Sequence, residues 1–451
     1  MTKVILEEVS QVKASPSAVG PQKGFYEELE ARGIVYQVTG PELRDQLAQR
    51  SMTVYCGIDP TADSLHIGHL MGLVTMRRFQ LAGHRVIAVV GGATGLIGDP
   101  SGKSQERNLL DREKIDHNVR GISKVVSRFL DWDGSHPALL VNNISWYEGM
   151  NILDFLRDVG KHFTINYMIA KDSVKSRLED REHGLSYTEF SYMLLQGYDF
   201  YYLNREYQCH LQIGGADQWG NITAGTEMIR RHGASTGKVA ESVWGLTWPL
   251  LTKSDGTKFG KSESGAVWLT ADKTSPYQFY QFLVRTPDAD VMSLIKYLTF
   301  LEMSEIERLE TSLKTQPEKR EAQNALAREL TTLVHGEAEY FKAKAAAEAL
   351  FSQELSALDA KTLLEVFADA PSTDCEFAEA EKGVAVVDLL VRTRLSSSKG
   401  EARKDIQGGG VYVNNLRITD PVAHVGLAQL IDRCYLVLRK GKKNHHLVAF
   451  R

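Results

Sequence analysis

The stretch that decides the fold is Val54–Leu70, which reads VYCGIDPTADSLHIGHL. Its first residues have strand character, and a turn signal begins at Asp59. A helical pattern then opens at Leu65, after three polar residues of the kind that cap helices: Thr61, Asp63 and Ser64. The stretch therefore predicts a strand, a tight turn and a helix.

The first turn of this helix carries two histidines, His66 and His69, which a spacing of three residues places on one face. Between them, Gly68 has no side chain to block the close approach of a ligand. A helix N-terminus favours phosphate, and imidazoles add hydrogen-bond donors. The alternatives are two structural histidines or half of a metal site, but a metal needs further ligands and the neighbouring residues are glycines and apolar side chains.

The chain continues as a strand–helix–strand unit. The helix is expected to stop at Gly83, and Arg85–Val90 forms a short apolar run typical of a buried strand. Elements of these lengths indicate a βαβ unit and hence a parallel sheet.

A glycine-rich loop, Gly91–Gly102, follows this strand. It is not a P-loop, because three residues separate Gly98 from Gly102 where the P-loop pattern requires four, and the lysine-rich Gly256–Ser262 fails in the same way. We assign function instead to Asp99, a carboxylate at the carboxyl end of a strand, where parallel sheets bind ligands. An Asx-turn before Pro100 is the alternative.

Further polar groups recur along the chain. Residues 103–180 appear mostly helical in pattern, and Asn151–Lys175 is apolar on one face, which could pack on the sheet or on a second subunit. A helix at Tyr187–Phe200 places three polar side chains on one face, either as a pocket wall or as a solvated surface: Tyr192, Gln196 and Asp199. A strand at His210–Ile213 runs into the polar loop GGADQWGN.

Residues 252–265 form a glycine- and serine-rich loop with three lysines (Lys253, Lys258 and Lys261) and one apolar anchor, Phe259. Such a loop can close on a polyphosphate, and a solvated loop is the alternative. Helical patterns then continue from Ser275 to about Ala370. We predict an N-terminal extension at 1–24, a catalytic domain at 25–251, the lysine loop and a helical domain at 252–370, a linker at 371–383 and a small α+β domain at 384–451.

Composition bounds the class of protein. At 451 residues, with 43% hydrophobic and 24% charged residues, the chain predicts a multidomain globular protein, and no apolar run has the length of a membrane span. Four scattered cysteines without a CxxC pair, and an N-terminus without a signal pattern, predict a cytoplasmic protein with no structural metal. The net charge is −4, yet residues 391–451 carry twelve Lys and Arg against four Asp and Glu, which is typical of a nucleic-acid-binding tail.

Six motifs in register resemble the bacterial tyrosyl-tRNA synthetases: YCGIDPTADSLHIGHL, VGGATGLIGDPSGK, FSYMLLQGYDF, LQIGGADQWGN, DGTKFGKSESG and an S4-like tail. The resemblance implies an α/β chain with a Rossmann-type catalytic domain, an all-α domain and an S4-like RNA-binding domain, assembled as a homodimer. It implies that L-tyrosine and ATP, with Mg²⁺, give tyrosyl-adenylate and that tyrosine then passes to tRNA(Tyr). The lysine loop reads KFGKS rather than KMSKS, and residues 1–24 and 233–242 look longer than in the compact bacterial pattern.

The resemblance also implies residue roles. Tyr55 and Asp199 would bind the substrate phenol, and the groups at or beside its ammonium would be Asp99, Tyr192, Gln196 and Gln212. The positions around ATP and the adenylate would be Cys56, Gly57, Asp59, Thr61, Gly68, Gly215, Asp217, Gln218 and Ser262. Four residues would be catalytic at the phosphates: His66, His69, Lys258 and Lys261. Lys103 and Arg107 would meet phosphates or the tRNA acceptor end, and the tail would bind tRNA through Arg392, Arg394, Lys399, Arg403 and Lys404.

Three other interpretations compete with this one. A tryptophanyl-tRNA synthetase is disfavoured by Tyr55 and Asp199, because an indole has no hydroxyl for that pair. An RNA-binding paralogue without catalysis would show erosion at the motif residues, and none is eroded. A nucleotide-binding regulator would leave the basic tail unexplained.

Overall fold

A computed structural model describes residues 22–101, 109–179, 184–236, 242–257, 259–262, 265–349, 355, 358–368, 370–441 and 444–451. The strands in these ranges are β1 (Gln37–Val38), β2 (Thr53–Ile58), β3 (Arg85–Val90), β4 (Leu139–Asn142), β5 (Cys209–Gly215), β6 (Trp244–Trp248), β7 (Lys261–Ser262), β8 (Gly265–Ala266), β9 (Ser372–Cys375), β10 (Val384–Ala385), β11 (Val411–Val413), β12 (Leu416–Ile418), β13 (His424–Val425), β14 (Tyr435–Lys440) and β15 (Asn444–Phe450).

The α-helices in the same ranges are α1 (Phe25–Ala31), α2 (Leu43–Gln49), α3 (Leu70–Leu81), α4 (Thr94–Ile97), α5 (Arg112–Val126), α6 (Ile144–Tyr147), α7 (Ile152–Asp158), α8 (Ile165–Ile169), α9 (Asp172–Glu179), α10 (Tyr187–Tyr207), α11 (Trp219–Thr236), α12 (Pro276–Val284), α13 (Asp288–Leu298), α14 (Met303–Thr315), α15 (Glu321–His335), α16 (Glu337–Ala349), α17 (Ala360–Val366), α18 (Phe377–Lys382), α19 (Val386–Arg392) and α20 (Lys399–Gln407). None of the helices described is long and apolar enough to cross a membrane.

By their contacts the described residues form two compact units. The first holds the residues up to Lys273 together with Pro287–Ala322, and the second holds Thr274–Thr286 and the residues from Gln323 onward. The helices predicted between Ser275 and about Ala370 are present as α12–α17.

The first unit is organised by a six-stranded sheet in the order β1-β6-β5-β2-β3-β4. All neighbours pair in parallel except the edge pair β1–β6, so the predicted parallel sheet is confirmed. The chain passes from β2 to β3 on one side and returns on the other side as β5. The carboxyl ends of β2 and β5 therefore flank a topological switch point, the usual ligand position in such sheets.

The predicted start of the helix at Leu65 is wrong. A 3₁₀ turn occupies Ile67–His69 and α3 begins at Leu70, with His66 rather than the earlier polar residues as the capping side chain. The cause is tertiary: the N–H of Leu269 donates to the carbonyl of Leu65 at 2.8 Å, and the N–H of Ile67 donates to Val267 at 2.8 Å. These bonds hold the segment extended, against its local helical pattern.

Three strands of this sheet were not predicted: β1, β4 and β6. The strand β1 lies between α1 and α2, β4 lies within residues 103–180, where the pattern is mostly helical, and all residues of β6 are buried. The apolar Asn151–Lys175 is also not one helix but α7, α8 and the start of α9, with a 3₁₀ turn at Gly160–His162. Short strands at sheet edges and short helices gain their stability from neighbours distant in sequence, which a local pattern does not reveal.

The second unit contains a five-stranded sheet in the order β12-β11-β14-β15-β9. Two helices, α19 and α20, bury apolar side chains in the same core as β11 and β14: Val386, Leu389, Leu390, Ala402 and Ile406. The predicted small α+β domain is thus present, with two short helices followed by the antiparallel pair β11–β12. Residues 371–383 are not a plain linker, because β9 pairs in parallel with β15 and α18 follows it. The partner of β9, strand β15, lies some seventy residues away in sequence, so the local sequence pattern does not predict β9.

Candidate functional site

A cavity of about 260 Å³ lies at the switch point of the parallel sheet, at the carboxyl ends of β2 and β5. Most of the side chains that the sequence assigns to tyrosine and ATP line it together: Tyr55, Cys56, Gly57, Asp59, Thr61, His69, Asp99, Tyr192, Gln196, Asp199, Gln212, Gly215, Asp217 and Gln218. These residues come from segments as far apart as β2 and α10. The fold therefore brings the predicted site residues to one place.

Asp199 is the most heavily supported carboxylate of this cavity. It is 4% exposed and accepts hydrogen bonds from Trp146 Nε1 at 2.8 Å, from Asn143 Nδ2 at 3.1 Å and from the Tyr147 hydroxyl at 3.0 Å. Burial raises the pKa of Asp199 to about 7, while these three donors act in the opposite direction. The carboxylate is fixed in place by groups that cannot themselves carry a charge near pH 7.

Two buried polar atoms that line the same cavity have no hydrogen-bond partner among the described residues: the Tyr55 hydroxyl and Gln212 Oε1. Both residues are nearly inaccessible, at 1% and 2% exposure. Burying a polar group without a partner costs about 1–3 kcal/mol, so such atoms in a cavity indicate that a ligand supplies the partner.

A second carboxylate, Asp99, stands in an amide-rich network. It accepts from Gln218 Nε2 at 2.7 Å and from Asn221 Nδ2 at 3.4 Å, and the same Asn221 amide donates to Gln196 Oε1 at 3.0 Å. The alternative Asx-turn also exists, because the N–H of Ser101 donates to Asp99 Oδ1 at 2.9 Å. Asp99 does not end a strand as predicted but follows the short helix α4.

Asp59 is held between two hydroxyls. Tyr192 donates to Oδ2 at 2.8 Å and Thr94 donates to Oδ1 at 2.7 Å. A Cβ at Gly91 would lie 2.1 Å from Asp59 Oδ1, so only glycine leaves room for this carboxylate. Tyr192 is therefore engaged with Asp59, and burial raises the pKa of its hydroxyl well above the usual value.

The two histidines meet as predicted, with ring centroids 4.0 Å apart. The backbone N–H of His66 donates to His69 Nδ1 at 3.1 Å, and the N–H of Gly68 donates to His66 Nδ1 at 3.1 Å. An N–H can donate only to an unprotonated nitrogen, so the bond from Gly68 places the His66 ring proton on Nε2, whereas His69 Nδ1 also lies 3.3 Å from the His66 carbonyl and either tautomer of His69 makes one of these contacts. Burial lowers the pKa of His69 to about 3, which makes this ring a neutral hydrogen-bond donor at pH 7. A Cβ at Gly68 would lie 2.8 Å from His66 Cε1, so Gly68 first makes room for the His66 ring itself.

For several of the predicted phosphate-binding residues the structure does not describe the side chain. Lys103, Arg107 and Lys258 lie outside the described residues. Lys261 and Ser262 belong to β7, and their side chains are also outside the description.

The predicted tRNA-binding cations lie in the second unit, on α19, on α20 and in the turn between them. Arg394, Arg403 and Lys404 are exposed. Two others are engaged in ion pairs: Arg392 donates to both carboxylate oxygens of Glu379, at 3.0 and 2.8 Å, and Lys399 lies 2.6 Å from Asp388.

Sequence reasoning missed the supporting residues around the two carboxylates: Asn143, Trp146, Tyr147 and Asn221. The first three follow β4, itself unpredicted, and face a helix some fifty residues away. Of these four, only Asn221 could have been predicted from the sequence, because it is the last residue of the polar loop GGADQWGN identified there.

Comparison with known proteins gives a consistent result. Residues 46–352 match the family described as tRNA synthetases class I (W and Y), and residues 362–448 match the Tyrosine--tRNA ligase SYY-like C-terminal domain. The chain is 51% identical over 424 residues to the tyrosine–tRNA ligase of Roseiflexus castenholzii, covering 94% of this chain and 98% of that one. It is 50% identical over 427 residues to tyrosine–tRNA ligase 1 of Bacillus subtilis, covering 94% and 99%.

A solved structure supports the same relationship. A C-terminally truncated mitochondrial tyrosyl-tRNA synthetase of Aspergillus nidulans aligns with a TM-score of 0.65 at 30% identity, covering 78% of this chain and 100% of that one.

Proposed function

Because the chain belongs to the tyrosine–tRNA ligase family of class I aminoacyl-tRNA synthetases, we propose that it activates L-tyrosine with ATP. Activation yields tyrosyl-adenylate and pyrophosphate, and the tyrosyl group then passes to the 3′ end of tRNA(Tyr). One observation carries the choice of amino acid: the unpartnered Tyr55 hydroxyl lines the same buried cavity as the Asp199 carboxylate.

The Tyr55–Asp199 end of the cavity reads the phenol of the substrate. The substrate hydroxyl donates to Asp199, which keeps its three protein donors, and accepts from the otherwise unpartnered Tyr55 hydroxyl. Phenylalanine would leave the Tyr55 hydroxyl unpaired, and tyrosyl-tRNA synthetases are the standard example of rejection by this means. The donors Trp146 and Asn143 keep Asp199 in position before the substrate arrives.

The Asp99 end of the cavity receives the ammonium group. A carboxylate and the unpartnered Gln212 Oε1 are both acceptors, and an ammonium has three hydrogens to donate. Gln196 and Gln218 belong to the same network through Asn221. Tyr192 is also assigned to the surroundings of the ammonium group, with its hydroxyl donating to Asp59.

Activation needs no side-chain nucleophile, because the carboxylate of tyrosine itself attacks the α-phosphorus of ATP and pyrophosphate leaves. The protein then contributes position and charge stabilisation. We assign His66 and His69 to the phosphates as neutral donors and Lys258 and Lys261 as cations, with Lys103 and Arg107 at the phosphates or the acceptor end. The nucleotide would contact the residues assigned to ATP and the adenylate, from Cys56 to Ser262, including Gly57, Thr61, Gly215 and Asp217.

Mg²⁺ is proposed as a companion of ATP. Among the described residues there is no group of three or more His, Cys, Asp or Glu that could hold a metal by itself. Mg²⁺ at nucleotides is usually bound by phosphate oxygens and water, so the proposal assigns no protein cage to it. The ion would offset the negative charge of the leaving pyrophosphate.

The second unit would bind tRNA through its exposed cations Arg394, Arg403 and Lys404, which suit phosphate contacts to structured RNA. Arg392 and Lys399 would first have to exchange their carboxylate partners. We propose a cytoplasmic location, in keeping with four free cysteines.

We also propose a homodimer. The support is five large apolar side chains on the successive helices α7 and α8 that are 40–71% exposed: Ile152, Leu153, Leu156, Ile165 and Ile169. Exposed apolar side chains grouped in this way are typical of interaction sites. Sedimentation equilibrium tests the proposal, with a Leu153→Asp/Ile165→Asp variant expected to be monomeric.

The experiment that tests the activity is amino-acid-dependent exchange of labelled pyrophosphate into ATP, run with each of the twenty amino acids. Exchange with tyrosine alone is expected. Exchange with tryptophan would instead identify the sister enzyme, and no exchange from folded protein would favour an RNA-binding paralogue.

A further inference from the structure

The segment Gly265–Lys273 is bonded on both sides to parts of the proposed phosphate site. On one side, β8 pairs with β7, and the N–H of Val267 donates to the carbonyl of Gly260 at 3.0 Å. On the other side, the N–H of Ile67 donates to Val267 at 2.8 Å, and Trp268 bridges His66 in antiparallel fashion. One continuous segment therefore joins the lysine loop to the histidine turn.

The side chain of Trp268 lies between the histidine turn and a cation. Its ring meets the His66 ring edge to face, with centroids 6.2 Å apart and planes at 69°. Lys273 Nζ stands 5.3 Å from the centre of the Trp268 ring and 2.9 Å from Asp63 Oδ1. Lys273 lowers the pKa of Asp63, so this ion pair is intact at neutral pH. An edge-to-face contact and a cation–π contact both favour one orientation of the indole ring.

The histidine turn is also closely packed on the side of the lysine loop. A Cβ at Gly260 would lie 2.8 Å from Ile67 Cγ2, and the backbone of Gly260 has φ of +98°. His66 itself packs on His69, which lines the cavity. A displacement of the His66 ring would therefore be passed to the group that faces the ligand.

We propose that Trp268, held by Lys273, is a positioning residue for activation: it fixes the His66 ring and, through it, His69 in the orientation in which they stabilise the phosphates of ATP. The inference rests on the proposed function. Misplacement of a catalytic group by about 1 Å can cost about 100-fold in rate, whereas we assign tyrosine binding to other residues of the cavity, Tyr55, Asp199 and Asp99.

The test compares Trp268→Leu, Trp268→Phe and Lys273→Met with the wild type in single-turnover formation of tyrosyl-adenylate. Trp268→Leu is expected to slow the step about 10-fold or more with the KM for tyrosine changed less than 2-fold. Trp268→Phe keeps an aromatic edge and should recover most of the rate, and Lys273→Met should lose about 3-fold. Trp132→Leu is the matched control, because this indole bonds only to the Ser127 carbonyl near the end of α5 among the contacts of the described residues, and it should leave the rate unchanged.

Wild-type protein without tyrosine-dependent exchange would refute the proposed function. An active wild type with an equally active Trp268→Leu variant would overturn only the present inference, as would a Trp268→Phe variant as slow as Trp268→Leu. A rise in the KM for tyrosine as large as the fall in rate would also overturn it, because it would indicate general damage. If Trp268→Leu fails to fold, Trp268→Phe and Lys273→Met decide: a slowed step with Lys273→Met supports the inference, and wild-type rates in both contradict it.

Discussion

The cavity of the first unit and the cations of the second are built on different physical principles. In the cavity, the Asp99 and Asp199 carboxylates are buried and held by named neighbours, and two buried atoms of its lining have no partner among the described residues. In the second unit the proposed RNA-binding groups are exposed or paired with carboxylates. Burial makes each contact strong and specific, whereas exposed charges act weakly, additively and in a salt-dependent way. Substitutions in the two regions should differ accordingly in the size and character of their effects.

The largest expected effect concerns the stability cost of the buried carboxylate. The pKa of Asp199 is raised to about 7, above its unfolded value near 3.9. At pH values between these two, the protein therefore takes up a proton on Asp199 when it folds. The stabilising contribution is complete below pH 4 and is lost as the pH rises through 7. Asn does not titrate, so Asp199→Asn should lose this pH dependence of stability. The difference in unfolding free energy between variant and wild type should therefore shift by about 3 kcal/mol in favour of the variant from pH 5 to pH 8.

Equilibrium urea unfolding followed by tryptophan fluorescence measures this difference. Asp158→Asn is the control, because its exposed side chain pairs with Arg157 and should leave the pH dependence above pH 5 unchanged. A constant difference between Asp199→Asn and wild type across the range would show that the carboxyl is not proton-linked to folding.

The second expected effect is on activity. Asp199→Ala removes the acceptor for the substrate phenol and also strands the donors Trp146 and Asn143, so tyrosine-dependent exchange should fall about 100-fold or more. Steady-state exchange kinetics measure it, with Asp158→Ala as the exposed counterpart. Near-normal exchange would remove Asp199 from the substrate pocket.

Much of this arrangement follows from the sequence, and what does not has a physical cause. Arg85–Val90 is an uninterrupted apolar run, and Tyr187–Phe200 spaces three polar side chains for one helix face, so their elements and the meeting of Tyr192, Gln196 and Asp199 in one cavity were predictable. Asn143 and Trp146 were not, because their role depends on β4 and on a helix fifty residues away. The late start of α3 was also beyond local reasoning, since bonds to residues 267–269 override the helical pattern at Leu65.

The third expected effect separates specificity from stability at a single atom. Tyr55→Phe removes a hydroxyl that has no partner among the described residues, so thermal unfolding of the free protein should be unchanged or slightly higher. The preference for tyrosine over phenylalanine in kcat/KM should fall about 10-fold, which corresponds to one lost hydrogen bond of about 1.4 kcal/mol. An unchanged preference would mean that the Tyr55 hydroxyl does not meet the substrate.

The smallest effect should come from the exposed cations, which distinguishes them from the cavity. Arg403→Gln/Lys404→Gln should lower kcat/KM for tRNA charging about 3–10-fold near 0.1 M salt and leave pyrophosphate exchange intact. The salt dependence of charging should also become shallower, because up to two phosphate contacts are lost.

Arg392→Gln is the matched variant: its guanidinium is already paired with Glu379, so charging should change less than 2-fold. If the double variant loses exchange and charging equally, these residues serve the fold rather than the RNA. If Arg392→Gln has the larger effect, the pair with Glu379 opens on RNA binding and Arg392 is a principal contact.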